Sequence, residues 1–325
     1  VRVIVIIGGT DTGKTAFTTS LANRLVERGL KVGVVDADLG QSDIGPPTTV
    51  GLGLISQPVE QLGEAEVVGL YFVGSTSPQG HVLQTVIGTK KMVEKALALG
   101  YDKILVNTSG LIQGELGRTL KQHKIDLVDP DLVLVLERSA ECEHILRPYS
   151  LSRRPEIVRL APGPEGRKRS QEERRRHRER TLQAYFHGAR TLHLDLSRVV
   201  LKSPALYVGQ SIPPRQMEEL SGLLDDMILW AERRGGELAL VTPDPLQDGQ
   251  LRQLQKRFDD TSVINYSLGD FQDALVGLDN AERETIGLGV IKAIDFAKQM
   301  LVVETAVPEA AIAAVTIGRQ KFRPA

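Results

Sequence analysis

A chain of 325 residues, 41% of them hydrophobic, is long enough for one large domain and a smaller one. Its formal charge of −1 excludes a globally basic nucleic-acid binder, so any basic surface must be local. No apolar run approaches the roughly 20 residues of a bilayer span, so no membrane association is expected; the single cysteine, Cys142, cannot form an internal disulfide and fits a reducing compartment, the cytoplasm.

Residues 1–7 (VRVIVII) form an apolar run ending in Gly8 and Gly9, the pattern of a buried parallel strand. Because this strand starts at Val1, with no basic leader or cleavage site, the sequence is expected to begin inside a longer chain. A helical segment runs from Gly13 to about Arg28, and a second strand covers 31–35. Further strand-like runs fall at 67–73, 103–106, 132–136 and 156–160, with helix-like stretches at 82–99, 114–124 and 139–148. Strands alternating with helices predict an α/β fold, a parallel sheet flanked by helices on both faces.

After residue 160 the turn-rich break APGPEG (161–166) leads into a charged segment, 167–180, that closes near Gly188. From 191 onward short strand candidates follow at 193–195, 199–201, 237–241 and 262–267. A hairpin is expected from 287–296 and 300–305, and Trp230 is placed in an amphipathic helix. The boundary is set near 190: a first domain, 1–190, including a lid at 161–190, and a smaller β-rich C-terminal domain, 191–325.

Gly8-Gly9-Thr10-Asp11-Thr12-Gly13-Lys14-Thr15 satisfies G-x-x-x-x-G-K-[ST] between a strand and a helix, the context this phosphate-binding loop (P-loop) requires. Glycines let backbone N–H groups converge on phosphate oxygens, and the helix N-terminus adds positive potential. Lys14 is positioned to reach the β- and γ-phosphates, and the Thr15 hydroxyl to ligate Mg²⁺. The guanine-reading pattern N-K-x-D is missing: His123-Lys124-Ile125-Asp126 lacks the Asn and follows a predicted helix, so ATP is favoured.

Asp36 and Asp38 sit at the C-terminal end of the second strand, the edge where open α/β sheets bind ligands. Strand alternation would point both to one side. One could hold Mg²⁺ through water while the other takes a proton from an attacking hydroxyl. The plainer reading is a turn or cap, for which Asp is also common.

At this point the motifs resemble one family, the polynucleotide 5′-hydroxyl kinases. It includes the kinase subunit of the mRNA cleavage and polyadenylation machinery, its archaeal relatives and kinases of rRNA processing. Asp38-x-Gly40-Gln41 is similar to its D-x-G-Q element, and the loop with Asp11 matches its G-x-x-D-x-G-K-[ST] form. Thr76-Ser77-Pro78 resembles its T-S-P turn, and Thr108-Ser109-Gly110 its clasp, with Leu111 where an aromatic or polar residue is usual. Arg169, Arg174 and Arg178 resemble its lid. The resemblance implies an ATP-dependent kinase acting on a 5′-hydroxyl end of RNA or DNA. It makes Asp38 the general base and a Mg²⁺ ligand with Thr15, and makes Lys14, Arg174 and Arg178 the charges around the transferred phosphoryl group. Gln41, Thr76, Ser77, Thr108 and Gly110 become acceptor-side contacts, and RNA-processing partners are expected.

The segment 167–180 holds eight basic residues against three acidic ones in a nearly neutral chain. A solvated helix face with i, i+4 pairs such as Glu172–Arg176 and Glu173–His177 would account for it. So would a clamp that brings Arg174 and Arg178, four apart, onto phosphates. Two other functions remain open: a nucleotide-binding assembly subunit of an RNA-processing complex, or a small-molecule kinase on the same scaffold.

Overall fold

The computed structural model describes residues 1–163, 170–258 and 262–324. The chain divides into two compact units, Val1–His187 and Gly188–Ala325.

In the first unit the strands are β1 (Val3–Gly8), β2 (Val32–Ala37), β3 (Thr49–Ile55), β4 (Glu66–Phe72), β5 (Lys103–Thr108), β6 (Leu132–Leu136) and β7 (Glu156–Leu160). Their order across the sheet is β7-β6-β1-β5-β2-β3-β4. The first five run parallel, whereas β3 and β4 pair antiparallel on the β2 side. The expected parallel sheet is thus extended by an antiparallel pair. Its member β3, TVGLGLI, is a strand whose two glycines interrupt the apolar pattern by which strands are read from sequence.

Helices α1 (Lys14–Val26), α2 (Val82–Ala98), α3 (Gly114–Val128), α4 (Glu143–Leu146) and α5 (Gln171–Tyr185) complete this unit. Strand alternation divides the interior into two layers. Val3, Val5 and Ile7 of β1 join Val35, Ile104 and Val106 in a core that takes Met92 and Ala96 from α2 and Ile125 and Val128 from α3. Ile4 and Ile6 join Val32, Val34 and Leu105 on the other face, against Ala22 of α1. Each wholly buried Val or Ile contributes about 1.5–3 kcal/mol, so this two-sided burial holds the strand ends in register. The α/β expectation with helices on both faces holds. One motif is corrected: His123–Asp126 lies inside α3, which continues to Val128 because Ile125 and Val128 still face the core.

The second unit has β8 (Arg190–Asp195), β9 (Val200–Lys202), β10 (Gln210–Ser211), β11 (Trp230–Arg234), β12 (Glu237–Thr242), β13 (Ser262–Ser267), β14 (Ala274–Asp279), β15 (Thr285–Asp295), β16 (Met300–Thr305) and β17 (Ala314–Lys321), with helices α6 (Pro214–Leu224) and α7 (Asp248–Arg257). Strands β10-β11-β12-β13 form one sheet. β15 pairs β14 and β16, β16 pairs β8, and β14 pairs β17, which pairs β9. The expected hairpin is β15–β16. Trp230 is a correction: it opens strand β11, not a helix. Its strand returns through Gly235-Gly236 into β12, a turn that two glycines favour. The indole ring stacks on Phe296 at 5.9 Å between centroids and packs on Tyr207 at 4.5 Å.

Gly51 of β3 shows how closely the site-bearing loop is packed. A Cβ there would lie 2.0 Å from the carbonyl oxygen of Ile44, in the loop between β2 and β3. Gly51→Ala is expected to destabilise the fold by about 1–3 kcal/mol, through overpacking against backbone that must shift. Denaturant unfolding would measure it.

Candidate active site

Strand β1 ends at Gly8, buried between β5 and β6, and the chain turns through Gly9–Gly13 into α1. Gly13, at φ 79°, caps α1 with no side-chain hydrogen bond, and no acidic residue stands in the first turn. The positive end of the helix is therefore left to an anion. Lys14, only 7% exposed, donates from Nζ to the Gly9 carbonyl at 2.6 Å, and Thr12 Oγ1 donates to the same oxygen at 2.9 Å. A phosphate oxygen can replace that carbonyl as the partner of the ammonium. Burial lowers the Lys14 pKa to about 8, opposed by the charges of Asp38, Cys142 and Asp11.

Register places the ends of β2 and β5 side by side, with Asp36 opposite Asn107. Both lie on the α1 face, like Val34 and Leu105 two residues earlier. Asn107 Nδ2 accordingly sits 3.2 Å from Asp36 Oδ1 and 3.4 Å from Thr15 Oγ1. Asp36 is wholly buried; its carboxylate accepts backbone N–H groups from Asp38, Asp43 and Ile44. Burial pushes its pKa up to about 7, helped by the neighbouring Asp43 and Asp38 carboxylates and opposed by the N–H groups of Asp43 and Asp38.

Asp38 has a different setting. Strand β2 stops at Ala37, so alternation no longer governs its direction. The residue is half-buried on the wall of a 1090 Å³ cleft, with Oδ1 accepting from the N–H groups of Gly40 and Gln41. Of the two carboxylates, Asp36 ties the loop together and Asp38 faces the cleft.

The same cleft gathers most of the residues singled out from sequence. Thr10, Asp11, Thr12, Gly13, Lys14 and Thr15 form its floor. Gln41 and Thr76 line one part of the wall, and Thr108 and Gly110 another. Gly110 lies so close to the loop that a Cβ there would come within 2.6 Å of Thr10 Cα, and Thr10 Oγ1 donates to its carbonyl at 3.4 Å. Two residues fall elsewhere. Gly8 is sealed within the sheet behind the loop. Ser77 is exposed and accepts the Gln79 N–H on its own Oγ, closing a turn instead of lining the cleft. Thr108 touches the cleft, yet its hydroxyl donates to Ile6 O at 2.8 Å and accepts from Lys121 Nζ at 2.9 Å.

Helix α5 explains both readings of the charged segment. Ser170 and Glu173 form a reciprocal capping box at its start. Glu172–Arg176 and Arg175–Glu179 pair along its exposed side, at 3.0 and 2.8 Å. Arg174 and Arg178 line the cleft, and Arg174 reaches Asp11 of the phosphate loop at 3.1 Å. Arg167, Lys168 and Arg169 lie outside the described residues.

Asn107, Lys121 and Lys124 were not among the site residues singled out from sequence. The lysines had a signal: they fall on the buried stripe of Gly117, Leu120, Ile125 and Val128, at helical spacing. Among the described residues no cluster of three or more His, Cys, Asp or Glu could hold a metal alone. The hard-oxygen groups of Thr15 and Asp38 on one cleft nevertheless suit Mg²⁺, which takes few protein ligands and completes its shell with phosphates and water.

A parallel sheet whose first strand feeds a G-x-x-x-x-G-K-T loop into the start of a helix defines a P-loop nucleotide-binding protein. Residues 8–188 match the family described as mRNA cleavage and polyadenylation factor CLP1 P-loop, and the chain belongs to that family. It is 33% identical over 306 residues to a polyribonucleotide 5′-hydroxyl-kinase of Pyrococcus furiosus, covering 94% of this chain and 83% of that one. The corresponding protein of Methanocaldococcus jannaschii is 31% identical over 306 residues, covering 94% and 82%. The solved structure of wild-type Clp1p in complex with Pcf11p matches the fold with a TM-score of 0.66 at 15% identity, covering 99% of this chain and 74% of that one.

The Asp11–Arg174 pair must open before Arg174 can turn to a phosphate. A partly exposed pair of this kind is worth about 0.2–1 kcal/mol. Asp11→Asn is therefore expected to tighten nucleotide binding by up to about fivefold, read by calorimetric titration.

Proposed function

We propose that this chain is an ATP-dependent polynucleotide 5′-hydroxyl kinase, acting on RNA ends and on DNA ends as a second acceptor. One observation carries the reading: the phosphate loop, a cleft-facing carboxylate and two lid arginines converge on a single cleft in a chain of this family. The homologous kinases named for polyribonucleotide 5′-hydroxyl ends support the acceptor class. We read residues 1–190 as the catalytic domain with its lid at 161–190, and 191–325 as an accessory β-rich domain.

The reaction follows from the groups present. The donor's β- and γ-phosphates lie on the loop N–H groups and the α1 N-terminus, with Lys14 moving from Gly9 O to a phosphate oxygen. A terminal 5′-hydroxyl enters beside Asp38, which accepts its proton as the oxygen bonds to the γ-phosphorus. The bond from that phosphorus to the bridging oxygen breaks, and ADP leaves. Arg174 and Arg178 balance charge on the equatorial oxygens, and closure of α5 excludes water that would compete with the hydroxyl. Mg²⁺, held by Thr15 and through water by Asp38, would supply charge neutralisation between the phosphates. Gln41, Thr76, Thr108 and Gly110 shape the acceptor side. On this reading the protein works in the cytoplasm, within RNA processing and alongside protein partners of that pathway.

Incubation with γ-labelled ATP and 5′-hydroxyl RNA, 5′-hydroxyl DNA, nucleosides or no acceptor tests this. Label on the oligonucleotide 5′ end is expected; turnover without acceptor, or transfer only to a nucleoside, would sink it. Lys14→Ala should abolish transfer. Asp38→Asn should lower kcat by about 10²–10⁴-fold while the melting temperature holds.

A further inference from the structure

Helix α3 carries two lysines wholly removed from solvent, Lys121 and Lys124. They reach different strand ends of the same site. Lys121 Nζ donates to Thr108 Oγ1 at 2.9 Å and to Ser109 O at 2.6 Å, at the end of β5. Lys124 Nζ donates to Ala37 O at 3.3 Å, at the end of β2 and one residue before Asp38. Among the described residues neither has a carboxylate partner within ion-pair distance; their acceptors are neutral.

Folding alone gives no reason for this arrangement. An ammonium group out of water without a counter-ion is unfavourable, and hydrogen bonds to neutral oxygens return only part of that cost. Two of them three residues apart also repel each other: after burial, the Lys124 charge is the next influence lowering the Lys121 pKa, followed by that of Lys14. Burial likewise brings Lys124 down to about 8, and the first charge opposing that shift is Asp38. Asp38 and then Asp36 offset part of this at Lys124, and negative charge collecting in the cleft, as a nucleotide and a polynucleotide end would bring, offsets more.

We propose that Lys121 and Lys124 are positioning residues of the phosphoryl-transfer site, Lys124 fixing the β2 end that carries Asp38 and Lys121 fixing the Thr108–Ser109 wall, with their charges matched to the anionic substrates. This rests on the kinase reading above. Neither lysine touches the reacting atoms. Each acts through a backbone carbonyl whose displacement would shift the base, or the wall opposite it, relative to the γ-phosphate. Misplacement on the scale of an ångström is enough to slow transfer by orders of magnitude without preventing binding.

The test uses the full chain with Lys121→Met, Lys124→Met and the corresponding Arg substitutions, assayed for label transfer from ATP to 5′-hydroxyl RNA. Each Met variant is expected to lose about tenfold or more in kcat, while KM for ATP changes by less than about threefold. Its melting temperature should stay within about 3 °C of the wild type or rise. Arg, which keeps the charge and donors, should recover a substantial part of kcat. Met variants with wild-type kcat would overturn the proposal while leaving the kinase reading intact. So would a Met variant that fails to fold or melts well below wild type, since the lysine would then be a folding determinant. A wild-type protein that transfers no label to any polynucleotide end would overturn both.

Discussion

The carboxylate of Asp36 lies out of solvent at the end of β2 and takes four hydrogen bonds, from the backbone of Asp38, Asp43 and Ile44 and from the Asn107 amide. Those four donors come from the loop that carries Asp38 and Gln41, and from the neighbouring strand end that leads into the clasp. Burial works against the charge and raises the pKa to about 7; the converging donors are what make an ionised group tolerable there. The rest of the site hangs from this anchor. Asn107 links it to Thr15 at the start of α1, so the phosphate loop, the acidic loop and the clasp are held relative to one another by a single buried group.

Around that anchor the charges are sorted by face. Strand alternation sends Asp36 and Asn107 toward α1, where Thr15 stands, and sends Ala37 and Thr108 toward α3, where Lys121 and Lys124 stand. The cleft is lined by Lys14, Arg174 and Arg178 and by the acidic residues Asp11, Asp38, Asp43 and Glu60. Asp11 already holds Arg174, and the Gly9 carbonyl already holds Lys14. Both cations therefore have weak, exchangeable partners that a phosphate can displace, and a polar, pre-formed environment lowers the reorganisation needed at the moment of transfer.

The charged segment illustrates how one helix serves two demands. Its exposed pairs are ordinary i, i+4 contacts of small worth, and its capping box fixes where the helix begins. Only the side bearing Arg174 and Arg178 meets the cleft. Composition could not separate the two, because the same residue types occupy both sides of α5.

The phosphate loop, the acidic strand end, the Arg174–Arg178 spacing and the α/β alternation are all legible in local sequence. Each is local: a loop between a strand and a helix needs its glycines, lysine and hydroxyl at fixed spacing, and i, i+4 arginines share a helix side whatever surrounds them. Features that depend on residues far apart in the chain emerge only with packing. Strand order set Asp36 beside Asn107 and made it an anchor, while Asp38, two residues on, lies on the cleft wall. The β3–β4 pair became part of the sheet through its neighbours, despite its glycines. Trp230 entered a strand through pairing with β12. Lys121 and Lys124 show the difference most plainly: their helical spacing was readable, but their burial against two strand ends exists only once α3 is packed on the sheet.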